Sequence, residues 1–139
     1  MITFEFSYIR DEVSKTNLLE EILRFKSELL TGFPVIETTL AAAKVFESIE
    51  MIAKALKASG KSQPRLAVCG LNPHNGDNGN YGDEEIKVIA PGVQLALAAG
   101  YPADGPFPAD TAFVRAIRKE GGYDGVVTMY HDQGQIAMK

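Results

Sequence analysis

Two short apolar runs, each followed at once by a polar block with a histidine, constrain this sequence more than any other feature. The first run is Leu66 to Cys69, and the second is Gly125 to Met129. Apolar runs of roughly four to eight residues bounded by turn-forming residues are typical of buried strands. Residues just past the carboxyl ends of parallel strands line the ligand crevice of such a sheet. The pattern therefore predicts that both polar blocks lie at one edge of a parallel sheet.

The spacing of apolar residues elsewhere predicts three helices. One runs over 36–58 with a wide apolar face, and we favour a core position for that face over a dimerisation surface. A second begins near Asp83 and runs toward Gly100, with Pro91 either kinking it or splitting it in two. A third opens at Asp110 or Thr111. The order helix–strand–helix–helix–strand predicts an α/β layered domain with a mostly parallel sheet.

The remaining segments give weaker patterns. Ile2, Phe4 and Phe6 alternate with polar residues, which indicates a strand, and residues 17–30 carry apolar residues at helical spacing. Residues 101–108 contain three prolines and one glycine, so we predict a loop there. We divide the chain into an N-terminal segment, 1–35, and a domain, 36–139, that carries the polar blocks.

Composition narrows the class of protein. The 139 residues suffice for one domain with a core, and a net charge of -4 argues against a nucleic-acid or membrane-surface role. No apolar run approaches the ~20 residues that span a bilayer, and residues 1–10 do not resemble a secretory signal. The single cysteine, Cys69, ends an apolar run, so we interpret it as a buried hydrophobe and expect a reducing cytoplasm.

The polar block over 70–82 is longer than an ordinary strand–helix connection. It contains four glycines and His74, and glycine lets the backbone approach a ligand closely. A ligand-binding loop is one interpretation. The other is a solvated turn in which the histidine is incidental.

The second block carries His131 beside Asp132. A neutral imidazole suits zinc and related divalent ions, but a catalytic zinc usually has three protein ligands. Further ligands could be Asp77, Asp110 or Asp132, although Asp110 is also a natural helix N-cap. A hydrogen-bonded turn with a surface histidine is the alternative to a metal site.

Five segments taken in order resemble the 4-hydroxythreonine-4-phosphate dehydrogenase family. They are 66–74 (LAVCGLNPH), 77–79 (DNG), 82–85 (GDEE), 105–111 (GPFPADT) and 129–134 (MYHDQG). Residues 135–139 resemble a subgroup of that family that oxidises sugar-acid phosphates such as threonate or erythronate 4-phosphate.

The resemblance implies NAD-dependent oxidation of a secondary alcohol in a small phosphorylated hydroxy acid, followed by decarboxylation. The family's fold is similar to that of isocitrate and isopropylmalate dehydrogenases, which bind NAD without a Rossmann glycine fingerprint. This sequence has neither that fingerprint nor a phosphate-binding P-loop motif. The family also implies a homodimer whose site lies in a cleft built from both subunits, and it assigns no residue here to NAD.

The resemblance also implies roles for individual residues. His74 and His131 match histidines that ligate a divalent metal, which could be Zn, Mg, Co or Mn. Asp110 and Asp132 match positions near the reacting atoms. Asn72 and Lys139 match substrate-binding positions, with Lys139 at the phosphate, whereas composition alone suggests a solvated terminal lysine.

One departure from the family supports a second hypothesis. The family has a third metal-binding histidine upstream of the long helix, whereas this sequence has two histidines in total. The alternative function is therefore a truncated, non-catalytic remnant or fragment that keeps the fold and at most weak metal binding.

Overall fold

The computed structural model describes residues 2–5 and 33–135, with side chains described over 40–135. The predicted helix over 17–30 and Lys139 lie outside the described residues. The elements in chain order are β1 (Ile2–Glu5), α1 (Phe33–Ala58), β2 (Leu66–Cys69), α2 (Ala90–Ala98), β3 (Ala103–Phe107), α3 (Ala109–Ala116), β4 (Gly125–Thr128) and α4 (His131–Gln135).

The four strands form one parallel sheet in the order β1-β4-β2-β3. β2 and β4 are neighbours at its centre, and their register pairs Leu66 with Gly125 and Val68 with Val127. All four residues of both strands are buried, as expected for strands covered on two faces. The predicted α/β layered architecture with a parallel sheet is therefore confirmed.

Alternating strand residues supply two cores, one on each face of the sheet. Leu66, Val68 and Val127 pack with the buried face of α1 and with α2. Ala67, Cys69 and Val126 pack with Ala112, Phe113 and Ala116 of α3. Ile49 and Ile52 on α1 are at most 1% exposed, and full burial of such a side chain stabilises a fold by roughly 1.5–3 kcal/mol. The predicted core position of the long helix is confirmed.

A cluster of charged groups ties the strands together at their amino ends. The guanidinium of Arg65 lies 3.2 Å from the carboxylate of Asp104, which also accepts a hydrogen bond from the Tyr123 hydroxyl at 3.0 Å. The Arg65 backbone N–H donates to Asp124 at 2.9 Å, and Lys61 pairs with that same carboxylate. The Lys61 ammonium and the Arg65 N–H hold the pKa of Asp124 below its ordinary value. This amino edge is therefore fixed by ion pairs that link β2, β3 and β4.

The segment predicted as a proline-rich loop contains β3 instead, so that prediction was wrong. Among the strands that the structure describes, β3 lies at the edge of the sheet and pairs with β2 alone, with a register shift between Ala67 and Cys69. A proline that lacks a backbone N–H is tolerated in an edge strand, where one side of the strand makes no ladder hydrogen bonds. Composition identified the prolines correctly but could not reveal the edge position that accommodates them.

Helix boundaries also differ from the predicted ones. Residues Glu85–Ile89 form a π-helical turn that leads directly into α2, so the split falls just before Pro91. Leu95 and Leu97 of α2 are 48% and 44% exposed. The predicted turn after β4 instead contains the short helix α4. Within the described residues, no helix has the length and apolar character that crossing a bilayer requires.

Candidate functional site

The predicted site residues follow the carboxyl ends of three neighbouring strands. Asn72 and His74 lie in the loop after β2, Asp110 in the first turn of α3 after β3, and His131 and Asp132 at the start of α4 after β4. Parallel strands bring all three connections to one edge of the sheet, which we call the carboxyl edge. The strand assignments thus place the polar blocks where the sequence predicted them.

The loop after β2 contains an unusual run of left-handed backbone. All six residues over 74–79 have positive φ, from 44° at Asp77 to 97° at Gly79. Left-handed backbone disfavours residues with a Cβ, although asparagine and aspartate tolerate it better than others. His74 at φ 52° therefore adopts a strained conformation, and such strain persists only where the surroundings impose it. The Gly- and Asn-rich composition that predicted a ligand loop is what this backbone requires.

The carboxylate of Glu85 holds the start of this loop. It accepts hydrogen bonds from the backbone N–H groups of Leu71 and Asn72 at 2.7 and 2.6 Å, and from the Asn72 amide at 3.0 Å. Burial alone would raise the pKa of Glu85, but these hydrogen bonds outweigh burial and keep the pKa below its ordinary value. Glu85 is 3% exposed, so the loop begins on a buried, ionised anchor.

Glu85 also accepts a hydrogen bond from the Asn72 side chain, which was predicted to bind substrate. The Asn72 amide nitrogen donates to Glu84 at 2.6 Å as well as to Glu85. Both amide hydrogens therefore have acceptors within the protein, and Asn72 shapes the loop in this structure. The Asn72 backbone is engaged as well, because its N–H donates to Glu85 and its carbonyl accepts from the Asn75 N–H at 3.1 Å.

Asn75 connects the loop to β3. Its amide nitrogen donates to the carbonyl of Pro106 at 3.1 Å. Its amide oxygen is buried and accepts no hydrogen bond among the described residues. The loop after β2 is thus attached to Glu85, in the π-helical turn before α2, and to the neighbouring strand β3.

The two imidazoles are exposed at the carboxyl edge. The His74 ring lies 6.2 Å from the Tyr81 ring, measured between centroids. His131 has 64% of its side chain exposed, and its Nδ1 lies 3.2 Å from the Asp132 carboxylate. Both histidines are therefore accessible to a ligand from solvent.

The described residues do not complete a metal centre by themselves. Over 40–135, no group of three or more histidine, cysteine or acidic side chains is arranged to hold a metal ion. The candidate carboxylates of Asp77, Asp110 and Asp132 therefore do not supply a third ligand to the histidines in this part of the chain. Two exposed imidazoles suit a divalent metal chemically, but a full ligand set needs at least one further group.

Asp110 does not cap α3, although the sequence favoured that role. The helix begins at Ala109, its N-cap is Pro108, and no side chain within 40–135 makes a capping hydrogen bond there. Asp110 is instead the second helical residue and is exposed. Its negative charge there interacts favourably with the positive end of the helix dipole. Because no capping bond engages it, its carboxylate stays available at the carboxyl edge.

Cys69 is a buried hydrophobe, as predicted. It is fully buried in the core beneath α3. Burial raises the pKa of its thiol to about 12. A thiol in that environment stays protonated and is not a nucleophile near neutral pH.

The roles of two residues that shape the site were not predicted, although both lie in segments that resemble the family, 82–85 and 129–134. Glu85 contacts residues 13 and 14 positions earlier in the chain. Gln133 donates a hydrogen bond to Gly70, 63 positions away. Membership of those segments was the available signal, but it did not identify their partners, which are backbone groups that the fold brings near.

Comparison with known proteins assigns the family. The family model for pyridoxal phosphate biosynthetic protein PdxA matches residues 31–139. A D-threonate 4-phosphate dehydrogenase of Pectobacterium atrosepticum is 50% identical over 101 residues, covering 73% of this chain and 30% of that protein. A 4-hydroxythreonine-4-phosphate dehydrogenase of Desulforapulum autotrophicum is 43% identical over 105 residues, covering 75% of this chain and 30% of that protein.

A solved structure agrees with these matches. The crystal structure of 4-hydroxythreonine-4-phosphate dehydrogenase from Klebsiella pneumoniae superposes with a TM-score of 0.65 and 44% sequence identity, covering 70% of this chain and 29% of that one. The chain thus spans less than a third of the length of these relatives. The family match, the sequence identities and the shared fold together show that this chain belongs to the PdxA family of pyridoxal phosphate biosynthetic proteins.

Proposed function

We propose that this protein takes part in oxidising the secondary alcohol of a small phosphorylated hydroxy acid, with D-threonate 4-phosphate or 4-hydroxythreonine 4-phosphate as substrate. The observation that carries the proposal is the carboxyl edge, where Asn72, His74, Asp110 and His131 follow three neighbouring strands of a fold shared with dehydrogenases of this family. Relatives named for each substrate are 50% and 43% identical to this chain.

The proposed cofactors are NAD and a divalent metal. His74 and His131 would bind the metal, because both imidazoles are exposed and both lie at the carboxyl edge. Since residues 40–135 supply no third ligand, further ligands would come from outside them, for instance from a second subunit of a homodimer. When bound, a metal of this kind polarises the alcohol oxygen and lowers the energy of negative charge that develops there.

The remaining side chains have proposed roles that follow from their positions. Asp132 lies 3.2 Å from the His131 ring and would orient the imidazole by accepting a hydrogen bond from Nδ1. Asp110, exposed in the first turn of α3, would accept a proton from the substrate. Lys139 would pair with the substrate phosphate as a point charge.

The test follows NADH formation by the purified protein with NAD, Mg²⁺ or Zn²⁺ and each of the two phosphates in turn. We expect turnover with at least one phosphate, and a loss of about 100-fold or more in kcat for His74→Ala and for His131→Ala. Even the outer-shell partners of metal ligands cost about 10- to 100-fold when they are removed. Gln94→Ala changes an exposed residue of α2 and should leave kcat unchanged.

Absence of NADH with both phosphates would contradict the proposal. Isothermal titration with Zn²⁺ then characterises the alternative, since a remnant that keeps the fold would bind the metal at most weakly through the two histidines and without turnover. The His74→Ala, His131→Ala double variant is the control for that titration.

A further inference from the structure

The side chain of Gln133 lies between the ends of the two central strands. It is 3% exposed. Its Oε1 accepts a hydrogen bond from the Met129 N–H at 2.8 Å, and its Nε2 donates to the Gly70 carbonyl at 2.7 Å. The two backbone partners fix the orientation of the carboxamide, because the Met129 N–H needs an acceptor and the Gly70 carbonyl needs a donor.

These partners are the residues at which the β2–β4 ladder would continue. The ladder pairs Val68 with Val127, and the same register extended by two residues would place Gly70 opposite Met129. The carboxamide of Gln133 bonds both of these backbone groups, so it acts there as a peptide group would. The strands therefore separate toward the carboxyl edge without leaving the Met129 N–H or the Gly70 carbonyl unpaired, and an unpaired buried backbone group is destabilising.

Both groups that Gln133 bonds lead directly into the histidine-bearing loops. Gly70 is the first residue after β2 and precedes the loop of His74, while Met129 is the first residue after β4 and precedes His131. Gln133 itself lies two residues after His131 on α4. One side chain thus fixes the origin of each loop relative to the other.

We propose that Gln133 is a positioning residue, whose carboxamide replaces a peptide group where β2 and β4 separate and so fixes the positions of both imidazoles at the carboxyl edge. Its importance for catalysis rests on the proposed function, whereas its effect on the loops does not. Glutamine suits this position because its carboxamide offers both a donor and an acceptor at neutral pH, whereas an ionised glutamate offers acceptors alone. Leucine or methionine would fill the space but leave both backbone groups unpaired.

The first experiment compares wild type with Gln133→Met in the metal-free protein by nuclear magnetic resonance. We expect hydrogen exchange at the Met129 amide to accelerate about fivefold, because its N–H loses the acceptor of one net hydrogen bond. We also expect the signals of both imidazoles to shift. The chain has two histidines in total, so His74→Ala assigns both sets of signals.

A variant that is destabilised elsewhere separates positioning from general stability. Ile49→Val removes one methyl group from the core beneath α1 and lowers stability without touching the carboxyl edge. Its histidine signals should match those of wild type. Unchanged Met129 exchange and unchanged histidine signals in Gln133→Met would overturn the proposal.

Gln133→Glu tests the peptide mimicry through pH. The ionised carboxylate cannot donate to the Gly70 carbonyl, whereas the protonated acid can, so folding favours the protonated form and raises its pKa. Stability is then fully retained below the unfolded pKa of about 4.3 and is lost as the pH rises above it. The urea midpoint of Gln133→Glu should therefore fall further below that of wild type at pH 7 than at pH 4. A deficit independent of pH would contradict the mimicry.

Titration with Zn²⁺ connects the inference to the proposed function. We expect Gln133→Met to bind Zn²⁺ about tenfold more weakly than wild type, as for other residues that orient metal ligands. If wild type itself binds no Zn²⁺, the proposed metal site fails. The exchange and histidine measurements still decide the role of Gln133 in that case.

Discussion

At the scale of single residues, the loop after β2 combines left-handed backbone with buried side chains that hold its start, Glu85 and Gln133. The Gly- and Asn-rich block after β2 predicted an unusual loop, and the structure shows six successive residues of positive φ there. The anchors Glu85 and Gln133 were not predicted, because their hydrogen-bond partners are backbone groups distant along the chain. A motif thus indicates that a loop is special, whereas its supports become visible only in three dimensions.

Gly76→Ala and Gly79→Ala distinguish two costs of a side chain in the segment of positive φ over 74–79, which are backbone strain and steric overlap. Gly76→Ala would bring a Cβ into the Glu85 carboxylate and the Gly82 carbonyl, whereas a Cβ at Gly79 meets nothing within 4 Å. Both variants have left-handed strain of about 1–2 kcal/mol, and Gly76→Ala adds an overlap of about 1–3 kcal/mol. Urea unfolding should therefore rank wild type above Gly79→Ala and Gly79→Ala above Gly76→Ala. Equal losses for the two variants would show that the close approach to Glu85 contributes nothing.

The pKa of Glu85 makes a prediction about acid stability. This pKa lies below its ordinary value of 4.5 in the folded protein. The group therefore contributes stability that is present above pH 4.5 and is lost as the pH falls through the lower, folded-state pKa. The free energy of unfolding should decline as the pH falls below 4.5, and Glu85→Gln should show a shallower decline. Since Glu50 and Asp124 also have lowered pKa values, the slope difference between variant and wild type is the informative quantity.

At the scale of elements, periodicity located the long helix and the two central strands. The apolar pattern predicted α1, β2 and β4 correctly, because a buried helix face requires apolar residues at helical spacing and a buried strand requires a short apolar run. β3 was missed because an edge strand tolerates prolines, and the start of α3 was misjudged because Pro108 occupies the N-cap in place of Asp110. The missed strand, β3, forms because of its edge position in the sheet and not because of its local sequence propensity.

The two faces of α1 predict opposite responses to truncation. Ile49 is fully buried against the sheet, whereas Met51 is 52% exposed on the same helix. Ile49→Ala should lower the free energy of unfolding by about 2–5 kcal/mol, since it removes packed methyl groups and leaves a cavity. Met51→Ala should change it by about 0.5 kcal/mol or less. A large loss for Met51→Ala would mean that its face is covered, for instance by a partner subunit.

At the scale of the whole molecule, the two edges of the sheet have different chemistry. The amino edge carries the ion pairs of Arg65, Asp104 and Asp124, and the carboxyl edge carries the imidazoles and the loop held by Glu85. The sequence predicted the carboxyl edge because two apolar runs are each followed by a polar block, and parallel strands bring such blocks to the same edge. It did not predict the amino edge, whose charged residues resemble ordinary surface residues along the chain.

The single cysteine reports on the folding of the whole molecule. With its pKa raised to about 12 from 9.0, the Cys69 thiol carries about 1,000-fold less thiolate in the folded protein. We therefore expect iodoacetamide at pH 8 to label Cys69 only through unfolding, so that the labelling rate rises with urea alongside the unfolded fraction. Rapid labelling of the folded protein would show that α3 opens locally without global unfolding.

The separation of the two edges bears on how a protein of this kind adapts to temperature. Substitutions among the ion pairs at the amino edge can raise or lower heat tolerance while the strands still deliver the same side chains to the opposite edge. Relatives from hot and cold habitats should therefore differ more at positions equivalent to Lys61, Arg65 and Asp104 than at those equivalent to Glu85 and Gln133. Thermal adaptation and chemistry could then diverge independently within one small sheet.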